Sequence, residues 1–118
     1  MHSEMVQLLG EFLGTFILIL LGNGVVSGVV LNKTKATGAG WVAITLGWGF
    51  AVMMGVYVSG FMSPAHLNPA VTIAMAMIGS FSWSLVFPYI IAQMLGAMVA
   101  SIIPVSYTHL RAHETGAY

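Results

Sequence analysis

The triplet Asn68-Pro69-Ala70 breaks an otherwise apolar stretch and constrains the fold of this chain more than any other feature. Ahead of it lies the small and polar run Ser59-Gly60-Phe61-Met62-Ser63-Pro64-Ala65-His66; behind it lies the apolar run Val71-Thr72-Ile73-Ala74-Met75-Ala76-Met77-Ile78. Asn followed by Pro is a helix start, with Asn as the N-cap and Pro as the first helical residue. The segment 68–78 is about 11 residues long, so as a helix it rises roughly 15 Å. A bilayer hydrocarbon core is about 30 Å thick, which makes this half a span. A half-helix at membrane depth leaves its first N–H groups unpaired. Lipid cannot satisfy them, so such backbone is tolerated only inside protein or beside a water-filled cavity. The spacing predicts a re-entrant half-helix over 68–78 that faces a pore. The alternative, an Asx-Pro turn in a surface loop, sits poorly with the apolar runs on either side.

Composition supports membrane depth. Hydrophobic residues make up 58% of the 118 and charged residues 5%, against about 25% charge in a soluble domain. Net charge is zero, which leaves no basic surface for nucleic acid, and the absence of cysteine excludes disulfides and thiolate metal sites. Three further stretches are long enough to cross a bilayer: about 8–31, with Asn23 as its one strongly polar interior residue, about 41–58, and about 83–104. The first is too long for a signal-peptide core, is preceded by Glu4 rather than Lys or Arg, and has no clear cleavage site, so it reads as a retained span. The expected architecture is an all-α membrane protein with three transmembrane helices plus one re-entrant half-helix. Segment 32–40 is a short polar connection and 79–82 a tight turn. The pairs Gly10/Gly14, Gly24/Gly28 and Gly96/Ala100 have the small-xxx-small spacing that lets helices approach closely, here read as packing within one protomer.

Composition changes at Pro104. Residues 105–118 carry the one Arg, Arg111, together with Glu114 and two of the four His. This stretch resembles one translated reading frame of a transposase-end adapter from sequencing libraries. It is therefore read as an assembly scar and excluded from the fold, with residues 1–104 as the N-terminal half of a longer protein. A genuine polar tail after the third span is the alternative.

Three motifs together resemble the major intrinsic protein (aquaporin) family: Gly10-Glu11-Phe12-Leu13-Gly14-Thr15 in the first span, Ala65-His66-Leu67-Asn68-Pro69-Ala70-Val71-Thr72 in the loop, and Gln93-Met94-Leu95-Gly96-Ala97 in the third span. The resemblance covers about residues 4–104 and implies the first of two inverted repeats. The family's fold is an hourglass of six spans and two half-helices, assembled as homotetramers that pass water, glycerol and other small uncharged solutes.

Elementary electrostatics fits that activity. A helix N-terminus carries roughly half a positive charge. Aimed at the bilayer centre, it repels cations and protons and leaves neutral solutes alone. The Asn68 side chain can cap its own helix through oxygen and still offer N–H donors to a passing hydroxyl. The backbone carbonyls of Pro64, Ala65, His66 and Leu67 would supply a ladder of acceptors, and by resemblance these four line the pore. Trp48 and Val52, four apart, share one face of the second span. Spacing alone leaves Trp48 divided between a lipid-facing position and the pore. The resemblance of Trp48-Gly49-Phe50-Ala51-Val52 to the glycerol-facilitator branch implies an apolar filter wall at Trp48, with Val52 in the pore wall. The filter arginine of the family belongs to the second repeat.

Glu11 by spacing sits either just outside the hydrophobic region or within it, where an ionisable residue has a job. The resemblance implies that it accepts hydrogen bonds from the pore-loop backbone and so supports the structure. His66 packs to hold the loop; no second ligand stands near it for a metal. No catalytic residue, cofactor or metal is expected. Lys33 and Lys35 in the first connection would place it in the cytoplasm by the positive-inside rule. The family topology instead puts the N-terminus there, and the expected location is the bacterial plasma membrane. The expected function is a passive channel for glycerol, water and other small neutral solutes that excludes ions and protons. A water-selective channel is the alternative. A proton-coupled transporter would place carboxylates at the midplane, and an enzyme would need paired acids, a nucleophile with its base or clustered ligands; neither pattern occurs before Pro104.

Overall fold

The computed structural model describes residues 2–115, with side chains described for 2–103. Helix α1 spans Glu4–Val30, α2 Gly40–Ser59 and α3 Pro69–Met77; a 3-10 turn at Trp83–Leu85 leads into α4, Val86–Thr115. Three of these, over Glu4–Val30, Gly40–Ser59 and Trp83–Ile103, are long and apolar enough to cross a membrane. This is the all-α arrangement of three spans and one half-helix that the sequence predicts. The first span begins four residues earlier than its apolar run, because Ser3 caps it: Ser3 Oγ accepts from Val6 N at 3.4 Å. Glu11 therefore stands two turns inside the span. The last helix continues past Pro104 to Thr115. The assignment of 105–118 as non-native concerns side chains, and residues 116–118, outside the described residues.

Helix α1 packs against both α2 and α4. Its last carbonyls are capped by the connection that follows. Thr37 Oγ1 donates to Leu31 O at 2.6 Å, Thr34 Oγ1 to Gly28 O, and Gly38 N to Val29 O at 3.0 Å. The end of α2 folds back through Ser59, whose carbonyl receives both Met62 N and Ser63 N, at 2.9 and 3.0 Å.

The half-helix α3 has nine residues, with Asn68 as N-cap and Ile78 as C-cap. It stops in a Schellman motif. Ser80 N donates to Met75 O at 2.9 Å and Gly79 N to Ala76 O at 3.1 Å. Gly79 adopts φ +82°, a left-handed conformation that a Cβ would strain. Start and stop are both local signals, so the half-helix is short by design of its own residues.

Candidate functional site

Glu11 is the anchor of the site. Its side chain is fully buried, and its two carboxylate oxygens meet four donors. Oε2 accepts from Ser63 Oγ at 2.5 Å and from His66 N at 3.2 Å; Oε1 accepts from Leu67 N at 2.9 Å and from Gln93 Nε2 at 2.8 Å. A buried carboxylate is tolerated when hydrogen bonds replace its hydration. The loop adapts its backbone to do this. Ala65 and Leu67 hold φ +56° and +54°, rare for residues with a Cβ. Left-handed residues alternating with ordinary ones turn successive N–H groups inward as an anion-binding nest. The strain at Ala65 and Leu67 is thus offset by charge-assisted hydrogen bonds to Glu11.

The N–H groups of His66 and Leu67 are spent on Glu11 and that of Ala65 on Ser63 Oγ, while the loop's acceptors stay free. Among the described residues, no hydrogen bond is received by the carbonyls of Pro64, Ala65, His66 or Leu67. The Asn68 side chain caps α3, its Oδ1 accepting from Ala70 N at 2.8 Å. Its amide N–H groups have no partner among the described residues, and the side chain is exposed. Leu67 and Asn68 line a cavity of about 390 Å³ with Pro69, Trp48, Val52 and Leu18. So the residues singled out by sequence on two separate elements, Trp48 and Val52 on α2 and the Asn68-Pro69 pair at the half-helix, come together around one space. Ala70 continues α3 behind that pair.

Behind the loop lies a polar network that joins Glu11 and His66 to residues without an expected role. Gln93 donates to Thr72 Oγ1 at 2.9 Å as well as to Glu11, and Thr72 Oγ1 lies 3.0 Å from His66 Nδ1. The His66 ring also meets Phe81 edge-on, with centroids 4.8 Å apart, and Phe81 meets Tyr89 at 4.6 Å. Tyr89, fully buried, donates to Gln7 Oε1. Ser63 and Tyr89 look like ordinary span or loop residues in the sequence. Thr72 and Gln93 fall within the loop and third-span motifs, and that placement is the signal the sequence offers for them. Among the described residues no three His, Asp or Glu side chains gather.

The small residues of α1 serve the loop as much as the helices. A Cβ on Gly10 would come 2.8 Å from Met62 Cβ, and one on Gly14 would overlap Leu67 and Ser59. Gly96 meets the α1 backbone at Phe12, and Gly55 meets it at the Gly14 carbonyl. The Gly24/Gly28 pair departs from the expected packing: Gly24 faces open space and Gly28 has Ala36 Cβ at the limit of contact. Both lie beyond the stretch of α1 that the loop covers.

Comparison with known proteins places the chain. The family model described as Major intrinsic protein matches residues 2–117. "Glycerol uptake facilitator protein 3" of Lactiplantibacillus plantarum is 69% identical over 97 residues, which cover 82% of this chain and 40% of that protein. "Glycerol uptake facilitator protein" of Streptococcus pneumoniae is 63% identical over 97 residues, 82% of this chain and 42% of that protein. The chain thus spans about two-fifths of the length of these curated relatives. Among solved structures, the aquaglyceroporin from Plasmodium falciparum superimposes with a TM-score of 0.81 at 35% identity, covering 96% of this chain and 46% of that one.

Proposed function

The chain belongs to the major intrinsic protein family, and we propose that its residues 1–104 form the N-terminal half of a passive channel for glycerol, water and other small uncharged solutes. The observation that carries this reading is the division of labour in the loop. Glu11 takes the N–H groups of His66 and Leu67, while the carbonyls of Pro64, Ala65, His66 and Leu67 receive no hydrogen bond among the described residues, and Leu67 itself lines the cavity of Asn68 and Trp48. A solute hydroxyl can exchange water for those acceptors and for the Asn68 amide donors at small net cost. The α3 N-terminus, with its partial positive charge, opposes cations and protons. Trp48 and Val52 present apolar surface to the carbon backbone of a polyol. This is a binding and exclusion device, with no bond made or broken and no enzymatic step.

The chain is an integral membrane protein, and the bacterial relatives fit a plasma-membrane location; a cytoplasmic N-terminus is the orientation we propose with it. Along α2, Val42, Leu46, Phe50 and Tyr57 form an exposed apolar face at helical spacing, which suits a homotetramer embedded in lipid.

The test is a chimera of residues 2–103 followed by the remainder of the Lactiplantibacillus plantarum relative, reconstituted in liposomes. Glycerol-driven volume change well above empty liposomes, with no accompanying current, is the expected result. Water flux without glycerol flux would replace this reading with a water-selective channel.

A further inference from the structure

The six-membered ring of Trp48 lies directly over Gly22 of α1. A Cβ placed on Gly22 would fall well inside van der Waals contact with three ring carbons, Cζ3, Cε3 and Cη2. Gly22 is buried, and no other neighbour stands closer to that point than these carbons. The absence of a side chain at Gly22 is therefore what gives the indole its seat. One residue before Trp48, α2 answers in kind, with Val25 of α1 filling the space above Gly47. The two helices interlock here as ring over glycine and valine over glycine.

The seat matters because of what lies on the ring's other sides. Trp48 lines the central cavity with Asn68 and Val52. It also lines a second apolar cavity of about 380 Å³ with Val26, Trp41 and Ile44. The indole is thus a partition between two spaces, backed by the α1 helix at Gly22. Anything that fills the seat pushes the ring away from α1 and toward one of those spaces. To clear an added methyl, it must retreat by more than an ångström.

We propose that Gly22 is a specificity-determining positioning residue: it sets how far the Trp48 indole projects into the solute path, and so sets the preference for glycerol over water. This rests on the reading of Trp48 as a filter wall. Gly22 touches no solute and acts through the ring.

Gly22→Ala and Gly24→Ala are compared in the chimera, with stopped-flow water and glycerol permeation on matched protein amounts. Both changes favour helix equally, and Gly24 faces open space, so Gly24→Ala controls for helix stiffening. Gly22→Ala lowers the glycerol-to-water ratio roughly tenfold, the rate change expected from one overpacked contact. Gly24→Ala leaves it unchanged. In a Trp48→Phe background, whose ring ends short of Cζ3 and Cη2, Gly22→Ala no longer alters the ratio. Equal effects of Gly22→Ala in both backgrounds, or no effect in either, would overturn the proposal. Should Gly22→Ala abolish folding, the double variant with Trp48→Phe restores it; failure to restore it counts against the seat. Independently of flux, the 118-residue chain carrying Trp48 as its one tryptophan, through Trp41→Phe and Trp83→Phe, shows a red-shifted emission with Gly22→Ala and none with Gly24→Ala. Absence of glycerol flux in the unmodified chimera would defeat the channel reading, while the emission shift would still report on the seat.

Discussion

The carboxylate of Glu11 accepts a hydrogen bond from the backbone N–H of Leu67 at 2.9 Å, across 56 residues of chain. One residue ahead of the half-helix cap, this bond fixes both where the loop stops descending and which way its peptide groups face. The N–H of Leu67 is held toward α1, and its carbonyl stays without a protein partner. The fully buried Glu11 thereby holds the loop in shape without itself being exposed.

Replacing Glu11 tests that claim. Glu11→Gln substitutes an amide N–H₂ for one oxygen, so at least one buried donor among Ser63, His66 and Gln93 loses its acceptor. Each orphaned buried group costs about 1–3 kcal/mol. The expected outcome is a lower unfolding midpoint in detergent titration and reduced glycerol flux per folded channel. Wild-type stability in Glu11→Gln would show that the loop holds itself.

Gln93 couples α4 to the same site through bonds of 2.8 Å to Glu11 and 2.9 Å to Thr72. Gln93→Leu removes both donors and should destabilise by about 1–3 kcal/mol. Thr72→Val alone removes one end. Because the two share a hydrogen bond, their costs combine non-additively by about 0.5–3 kcal/mol in a double-mutant cycle. Strict additivity would mean that the network is not one unit.

Asn68→Asp keeps an oxygen for Ala70 N but adds a negative charge at the positive end of α3. Cation exclusion should weaken, seen as a current that the unmodified channel does not pass, with glycerol flux measured in parallel. Intact exclusion in a well-folded variant would assign the barrier to elements outside this half of the pore.

Trp48→Ala removes the apolar wall shared by the two cavities. A five-carbon polyol should then gain passage relative to glycerol, read by swelling with water, glycerol and the larger polyol side by side. An unaltered ranking of the three would take Trp48 out of the filter.

Much of this architecture was legible in the residues themselves. The half-helix is announced by Asn68 and Pro69 at one end and closed by Gly79 at the other, and the spans by the length of their apolar runs. Those signals act over one to five residues, through caps, turns and hydrophobic stretches, so no knowledge of the rest of the fold is required. Tertiary structure alone decided what meets what. That Glu11 binds Ser63, His66, Leu67 and Gln93, that Thr72 sits between His66 and Gln93, and that Trp48 rests on Gly22 are contacts between a helix and the loop or between different helices. Several join residues more than 50 positions apart. A small polar or glycine residue has the same local preferences whether it faces lipid, a neighbouring helix or a buried carboxylate. Its role is set by which surface the packing of α1 against α2 and α4 brings to it.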